Sequence, residues 1–200
     1  LKFFSSQIDC DTALMNNRVE GAVSDIVRVE RMKKLGKDLF YSTSTDTYWL
    51  LVSNRSSRIK ELKQLDDKMM AMTRFSVTDM IGDYAVDSAK LDHERVFRIQ
   101  ITDVRVRLQM LQHNEIDALC LTEPQATEAL SGKHKVLLDT RKLDWHMGVF
   151  AFRNIISNDS SRTKQYDVFV KAYDMACDTI NKYGISKYRD IIARHCHVKA

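Results

Sequence analysis

Four consecutive residues, Thr73-Arg74-Phe75-Ser76, have side chains suited to binding an anion. They connect a predicted strand to a predicted helix, and the first turn of a helix offers free backbone N–H groups and the positive end of the helix dipole. Thr73 and Ser76 would add hydroxyl donors, and Arg74 would add a guanidinium that pairs with a carboxylate, sulfonate or phosphate. Phe75 would offer a face for stacking. The alternative is that Ser76 only caps the helix, with Asp79 completing a capping box, and the two functions are compatible.

A hydroxyl followed by a carboxylate occurs twice, at Ser24-Asp25 and at Thr122-Glu123. Both pairs follow short apolar runs that predict buried strands, and ligands of open α/β sheets bind beyond the carboxyl ends of strands. We therefore expect both pairs at a ligand site, where Asp25 would accept hydrogen bonds from an amine or amidine. The alternative is that each acid caps the following helix. The sequence favours this alternative for Glu123, which precedes Pro124, and the ligand site for Asp25.

The two pairs belong to a repeated pattern. Residues 14–23 and 111–120 each show a helix end carrying Leu, a polar turn with Asn and a continuous apolar strand. A repeat of this length indicates two α/β lobes built on one plan. The strand ends of the two lobes would then converge on a shared cleft.

Thr43 and Ser44 are the last candidates for the ligand site. They end a run rich in hydroxyl and aromatic residues, which predicts a strand. We expect them to face the ligand beside Tyr48 or Trp49, although a core position is the more common place for Trp49.

The sequence carries none of the common enzyme signatures. It has no GxSxG, GxGxxG, P-loop or HExxH motif, and its six glycines are few for an enzyme that cradles phosphates. A metal site at His195-Cys196-His197 is disfavoured, because adjacent residues point in different directions and no further ligand is evident. We therefore expect a binding protein with no cofactor and no metal, and an enzyme acting on a small metabolite is the alternative.

The composition is that of a globular chain. Of its 200 residues, 44% are hydrophobic and 29% are charged, and no apolar run approaches the roughly 18–20 residues that span a membrane. The net charge of +4 comes from basic residues interleaved with acids, which argues against a nucleic-acid partner. The four cysteines show no CxxC spacing, and for Cys177 and Cys196 free thiols are favoured over a disulfide.

Strands and helices alternate along the chain, which predicts an α/β fold. The predicted strands are 1–6, 19–24, 39–45, 47–53, 68–73, 96–101, 116–121, 135–138 and 145–152. The predicted helices are 26–35, 59–65, 76–89, 104–112, 125–130, 160–183, 187–195 and a first helix that ends at Asn16 with Asp9 or Asp11 as its cap.

Four segments, in this order, resemble one family. They are ALMNNRVEGAVSD at 13–25, IKELKQL at 59–65, RLQML with IDA and EP at 107–124, and the helix with AYDMA and INKY at 168–188. They are spread over residues 13–188. The chain thus resembles the type II periplasmic binding proteins, in particular the substrate-binding proteins of ABC importers for nitrate, sulfonates and thiamine precursors.

The resemblance implies a two-lobed α/β fold, with residues 1–55 and 143–200 in lobe I and residues 56–142 in lobe II. Members of the family carry an export signal and a first strand–helix unit ahead of the segment that opens this chain. We therefore expect lobe I, as built from these residues, to lack that unit.

The function implied is that of a solute-binding component. It would capture a small anionic or heteroaromatic molecule in the interlobe cleft and deliver it to the permease subunits of an ABC importer. The location implied is the periplasm or the cell surface, as a lipoprotein or a free protein, with membrane attachment only through a lipid anchor outside these residues.

Overall fold

A computed structural model describes residues 1–4 and 6–196, which form two β-sheets with flanking helices. The strands are β1 (Gly21–Asp25), β2 (Leu39–Thr45), β3 (Leu50–Ser53), β4 (Lys68–Met72), β5 (Val96–Gln100), β6 (Ala118–Leu121), β7 (Lys135–Asp139) and β8 (Gly148–Arg153). The helices are α1 (Gln7–Met15), α2 (Ile26–Lys34), α3 (Val77–Ala89), α4 (Val104–Gln112), α5 (Gln125–Ser131), α6 (Ser160–Tyr183) and α7 (Arg189–Cys196).

Lobe I is built on the smaller sheet, which has the strand order β1–β8–β2. The central strand β8 runs antiparallel to both neighbours, pairing Val23 with Phe150 on one side and Phe40 with Phe152 on the other. Leu14 of α1 and Val29 of α2 are buried against this sheet and form its core.

Lobe II is built on a five-stranded sheet with the order β5–β4–β6–β3–β7. β4 runs parallel to β5 and β6, whereas β3 runs antiparallel to β6 and β7. Both faces of this sheet are covered. One core contains Ile81 and Val86 of α3, and the other contains Leu108 and Leu111 of α4. A sheet buried on both faces explains the continuous apolar runs of β3, β4 and β6.

The two sheets share a three-strand arrangement. In lobe I the strand β8 lies between β1 and β2, and in lobe II the strand β3 lies between β6 and β7. Each central strand is the first one formed after the chain crosses from the other lobe. β1 and β6, which end the two copies of the sequence repeat, therefore occupy equivalent places. The predicted α/β architecture of two lobes on one plan is confirmed.

The chain crosses between the lobes twice, through residues 46–49 and through residues 140–147. The sequence predicts these crossings near residues 55 and 143. The first does not lie near residue 55, because β3 hydrogen-bonds to β6 and β7 in the lobe II sheet. Strand propensity predicts β3 correctly, but it carries no information about which sheet the strand joins.

Two predicted elements are wrong. Residues 1–4 form no strand, and α1 begins after Ser6, whose hydroxyl accepts a hydrogen bond from the backbone N–H of Asp9. Residues 59–65 form only a short 3-10 helix at Leu62–Leu65, because the backbone of Glu61 is extended and its N–H donates to the side chain of Gln64, which fixes the start of the helix at Leu62.

All four cysteines are free, as favoured for Cys177 and Cys196. Among the described residues, no helix combines the length and the apolar character needed to cross a bilayer.

Candidate functional site

A cleft of about 1030 Å³ lies between the two lobes. Its lining includes Asp25, which ends β1, and Thr73, Thr102 and Thr122, which follow the ends of β4, β5 and β6. The cleft is thus located at the carboxyl ends of the strands, where open α/β sheets bind their ligands.

Lobe I contributes a buried ion cluster to the cleft. Asp25 caps α2 by accepting a hydrogen bond from the backbone N–H of Arg28 at 3.0 Å, and the Arg28 guanidinium lies 3.1 Å from the same carboxylate. Arg28 also donates to the carboxylate of Asp11 at 2.6 Å, and Ser24 donates its hydroxyl to Asp11 at 3.3 Å. Two carboxylates share one guanidinium, so this cluster has a net negative charge.

Asp25 also faces lobe II. Burial raises the pKa of its carboxyl, while the N–H and the charge of Arg28 and the backbone N–H of Val77 act in the opposite direction. Val77 is the first residue of α3. The carboxylate of lobe I and the helix start of lobe II, both predicted from the sequence as ligand groups, therefore lie on opposite walls of one cleft.

The start of α3 is organised by its own hydroxyl groups. Ser76 accepts a hydrogen bond from the N–H of Thr78 at 3.1 Å and donates to the carbonyl of Thr73 at 2.7 Å. The N–H of Thr73 donates to the hydroxyl of Thr78 at 2.8 Å. Asp79 accepts from the N–H of Phe75 rather than from that of Ser76, so the expected capping box is shifted by one residue. Ser76 is a helix cap, and its role toward a ligand stays a prediction.

Arg74 and Phe75 lie outside the lining of the cleft, although they belong to the same turn as Thr73 and Ser76. Phe75 has a positive φ of 59° and is 54% exposed, and the guanidinium of Arg31 in lobe I lies 4.2 Å from the centre of its ring. Phe75 of lobe II thus contacts a side chain of lobe I outside the cleft lining.

Thr43 and Ser44 also lie outside the cleft lining. Both are exposed on β2, which is separated from β1 by the whole width of β8. The hydroxyl of Thr43 donates to the carbonyl of Ser44. The expectation that they face the ligand is not reproduced, because the alternation of a strand does not reveal which neighbour it pairs with.

Thr122 and Glu123 have different environments. Thr122 lines the cleft, and its hydroxyl has no hydrogen-bond partner in the part of the chain that the structure describes. Glu123 accepts from the Tyr48 hydroxyl at 2.5 Å and from the N–H of Thr127 in α5 at 3.0 Å. Glu123 therefore caps α5, which is the alternative that the sequence favours, and the Thr122 hydroxyl is free to contact a ligand.

Arg107, which was not among the predicted site residues, lines the cleft from α4. Its side chain is buried, with 7% of the residue exposed, and its Nε and Nη1 atoms have no hydrogen-bond partner among the described residues. Burial lowers the pKa of this guanidinium, and the nearby charge of Arg28 adds to the effect. The neighbouring Cys120 thiol offers no counter-charge, because burial raises its pKa to about 12.

A pattern in the sequence could have revealed this arginine. Arg107 lies four residues before Leu111 and next to Leu108, on the face of α4 that packs against the sheet. A charge on the apolar face of a helix is costly unless it is paired.

The remaining wall of the cleft is aromatic. Phe150 and Phe152 of β8 contact the ring of Phe169 in α6 edge to face, with centroids 5.5 and 5.4 Å apart. Tyr166 lies beside them, 5.1 Å from Phe152. The cleft therefore combines a polar region at the strand ends with an apolar wall in lobe I.

No group of three or more His, Cys, Asp or Glu side chains among the described residues has the arrangement of a metal site. The ring of His195 stacks on Phe3 at 4.1 Å, and the carbonyl of Cys196 accepts from Gln125 at 3.1 Å. His197, the third residue of the disfavoured metal motif, lies outside the described residues.

Neither a family model nor a curated protein sequence matches the chain. Solved structures, in contrast, match the chain. The periplasmic aliphatic sulphonate binding protein SsuA from Escherichia coli has a TM-score of 0.73 at 16% identity, over 98% of this chain and 67% of that protein. The chain has the type II periplasmic-binding-protein fold.

Two further solved structures share this fold. The alkanesulfonate-binding protein SsuA from Xanthomonas axonopodis pv. citri, bound to MOPS, has a TM-score of 0.68 at 14% identity, over 82% of this chain and 58% of that one. The zinc-bound ligand-binding component of an ABC-type import system from Staphylococcus aureus has a TM-score of 0.67 at 17% identity, over 81% and 57%. The chain thus spans somewhat more than half the length of these two binding proteins.

Proposed function

We propose that this protein is the solute-binding component of an ABC importer, which captures a small molecule between its lobes and presents it to the permease. One observation carries the proposal. Polar groups from both lobes meet at one cleft, with Asp25 and Arg28 on one wall and Thr73, Thr122 and Arg107 on the other. The similarity to solved importer components supports this reading of the fold.

Binding would work through closure of the two lobes. We assign residues 1–45 and 148–196 to lobe I and residues 50–139 to lobe II, with the two crossings between them as the hinge. A solute favours the closed state only to the extent that it interacts with both lobes at once. Groups on both walls are therefore necessary for capture, and a site on one wall would not suffice.

The solute would be bound and released unchanged, since we assign the protein to transport and not to catalysis. We place it in the periplasm or at the cell surface, where the binding proteins of importers meet their solutes. Permease subunits would be its protein partners, and any attachment to the membrane would use a lipid anchor outside these 200 residues.

A thermal-shift screen of the complete protein tests this proposal. The panel contains sulfonates, phosphonates, nitrate, pyrimidines, amino acids and vitamins. A solute that binds the folded state raises the melting temperature, by linkage. Thr122→Trp places an indole in the cleft and should abolish the shift, whereas Thr43→Trp, at an exposed position on β2, should leave it intact.

Two results would contradict the proposal. One is a shift that Thr122→Trp leaves unchanged, because the solute then binds outside the cleft. The other is chemical conversion of the bound solute, detected by mass spectrometry after denaturing the complex, because the protein would then be an enzyme.

A further inference from the structure

The cleft contains a buried cation that has no ion-pair partner in the described part of the chain. Arg107 is more than nine-tenths buried, and two of the three nitrogens of its guanidinium make no hydrogen bond within the described residues. Removing a cation from water and leaving it unpaired is among the most unfavourable arrangements in a protein. Such a side chain is expected where a ligand supplies the missing acceptors.

Three carboxylates near the cleft are engaged elsewhere. Asp103 precedes it by one helical turn, but its two oxygens lie 2.8–3.2 Å from the backbone N–H and the guanidinium of Arg105. Asp11 and Asp25, on the opposite wall, share Arg28. None of these acids forms an ion pair with Arg107.

We propose that Arg107 binds the anionic group of the transported solute, and that this group is an oxyanion. A guanidinium donates several N–H bonds in one plane, which matches the oxygens of a carboxylate, a sulfonate or a phosphonate. The inference rests on the proposed function, because it names the class of solute that the cleft takes.

A neighbouring hydroxyl suits the same anion. The free hydroxyl of Thr122, beyond the end of β6, is available to donate to an oxygen. The N-terminus of α3 also opens on this cleft, but its Val77 N–H is directed at the Asp25 carboxylate, so it is not assigned to the anion. The hydroxyls of Ser76 and Thr78 donate hydrogen bonds within the turn and stabilise the helix start. The hydroxyl that remains for direct contact with the anion is therefore that of Thr122.

The rest of the solute is expected to be apolar. Phe150, Phe152 and Phe169 form the lobe I wall of the same cleft. An inorganic anion would leave this wall in contact with water, whereas an organic anion would cover it with its hydrocarbon part. The solute class is therefore an organic oxyanion with an alkyl or aryl body.

Calorimetric titration of the complete protein tests the assignment. The probes are benzenesulfonate, benzoate and phenylphosphonate, with sulfate and acetate as small anions and benzamide and benzylamine as neutral and cationic counterparts. We expect at least one aromatic oxyanion to bind, with sulfate and acetate at least tenfold weaker. The three oxyanion types show whether sulfonate, carboxylate or phosphonate is preferred.

Arg107→Met keeps the length of the side chain and removes its charge. We expect Kd for the bound oxyanion to rise by at least about 30-fold, since a buried charged partner is lost, and Arg107→Lys to retain part of the affinity. Arg95→Met is the matched control in the same lobe. Its guanidinium is paired with Asp66, is exposed and lies outside the cleft lining, so Kd should change less than twofold.

The melting temperature without solute distinguishes an arginine that binds the ligand from one that stabilises the fold. Without solute, Arg107→Met should melt at a higher temperature than the wild type, because the unpaired buried charge is gone. A lower melting temperature, or an unchanged Kd, would overturn the role of Arg107. Binding of only benzamide or benzylamine would also overturn it and leave the solute-binding proposal standing, whereas no binding by any probe of either panel would overturn both.

Discussion

The hydroxyl of Thr140 accepts a hydrogen bond from the backbone N–H of Trp49 at 3.0 Å, and the N–H of Thr140 donates to the carbonyl of Trp49 at 3.1 Å. These residues lie in the two segments that cross between the lobes. Both are buried, Thr140 completely. The two crossings are thus joined at one point, and the proposed hinge would turn about this junction.

Thr140→Val should reduce the free energy of unfolding by about 1–3 kcal/mol, because the buried N–H of Trp49 loses its acceptor while the volume is kept. Urea denaturation measures the difference. Thr43→Val serves as the control, since Thr43 is exposed and its hydroxyl donates to the adjacent carbonyl of Ser44. Equal stability of the Thr140 variant and the wild type would show that this hydrogen bond does not stabilise the junction of the two crossings.

Thr122→Val should weaken solute binding without loss of stability. The Thr122 hydroxyl has no partner among the described residues, so its removal breaks no internal hydrogen bond. A lost neutral hydrogen bond to the solute corresponds to about 0.5–1.5 kcal/mol, or a rise in Kd of roughly 2- to 13-fold. Titration of the best solute from the screen measures this effect. A destabilised variant with unchanged Kd would place the hydroxyl outside the site.

Glu123→Ala should reduce stability and leave solute binding unchanged. Its carboxylate holds the Tyr48 hydroxyl and the N–H of Thr127 at the start of α5. Removal of this cap should reduce the free energy of unfolding by about 1 kcal/mol, with no change in Kd. A loss of affinity with unchanged stability would return Glu123 to the ligand-binding set.

His134 should make the protein less stable in mild acid. Its ring is buried and accepts a hydrogen bond from the N–H of Arg55 at 3.2 Å, and burial followed by the charge of Arg55 lowers its pKa below 6.5. The folded state therefore binds the proton less readily than the unfolded state. The stabilisation is complete above about pH 6.5 and decreases as the pH falls toward the lowered pKa.

Urea midpoints at pH 7 and pH 5 test this dependence. His134→Asn keeps an acceptor near the position of Nδ1 and cannot take up a proton, so its midpoint should fall less over this interval than that of the wild type. His113→Asn is the control, because His113 is exposed. An equal decrease in wild type and His134→Asn would contradict the assignment.

Much of the fold follows from local patterns. The bounds of β2, α4 and α6 agree with the sequence prediction, because apolar spacing and caps are properties of neighbouring residues. β3 is predicted correctly as a strand but is assigned to lobe I, since its pairing with β6 and β7 depends on residues at least 65 positions away. Local patterns do not contain such long-range pairing.

The site residues also divide into those that local patterns predict and those that depend on long-range packing. Asp25, Thr73 and Thr122 follow strands, and the rule for strand ends places them in the cleft lining. Arg107 belongs to a helix, and its place in the cleft depends on the packing of α4 against β6. This packing leaves Nε and Nη1 of its guanidinium without a hydrogen-bond partner among the described residues. Thr43 and Ser44 have the right chemistry but lie on a strand on the far side of β8.

A crystal structure of the complete protein with the best-binding probe tests the central claim most directly. The solute is expected between the lobes, with its oxyanion within hydrogen-bonding distance of Arg107 and its apolar part against the Phe150 wall. Electron density for the solute on an outer surface, or in contact with one lobe alone, would contradict capture by closure of the two lobes.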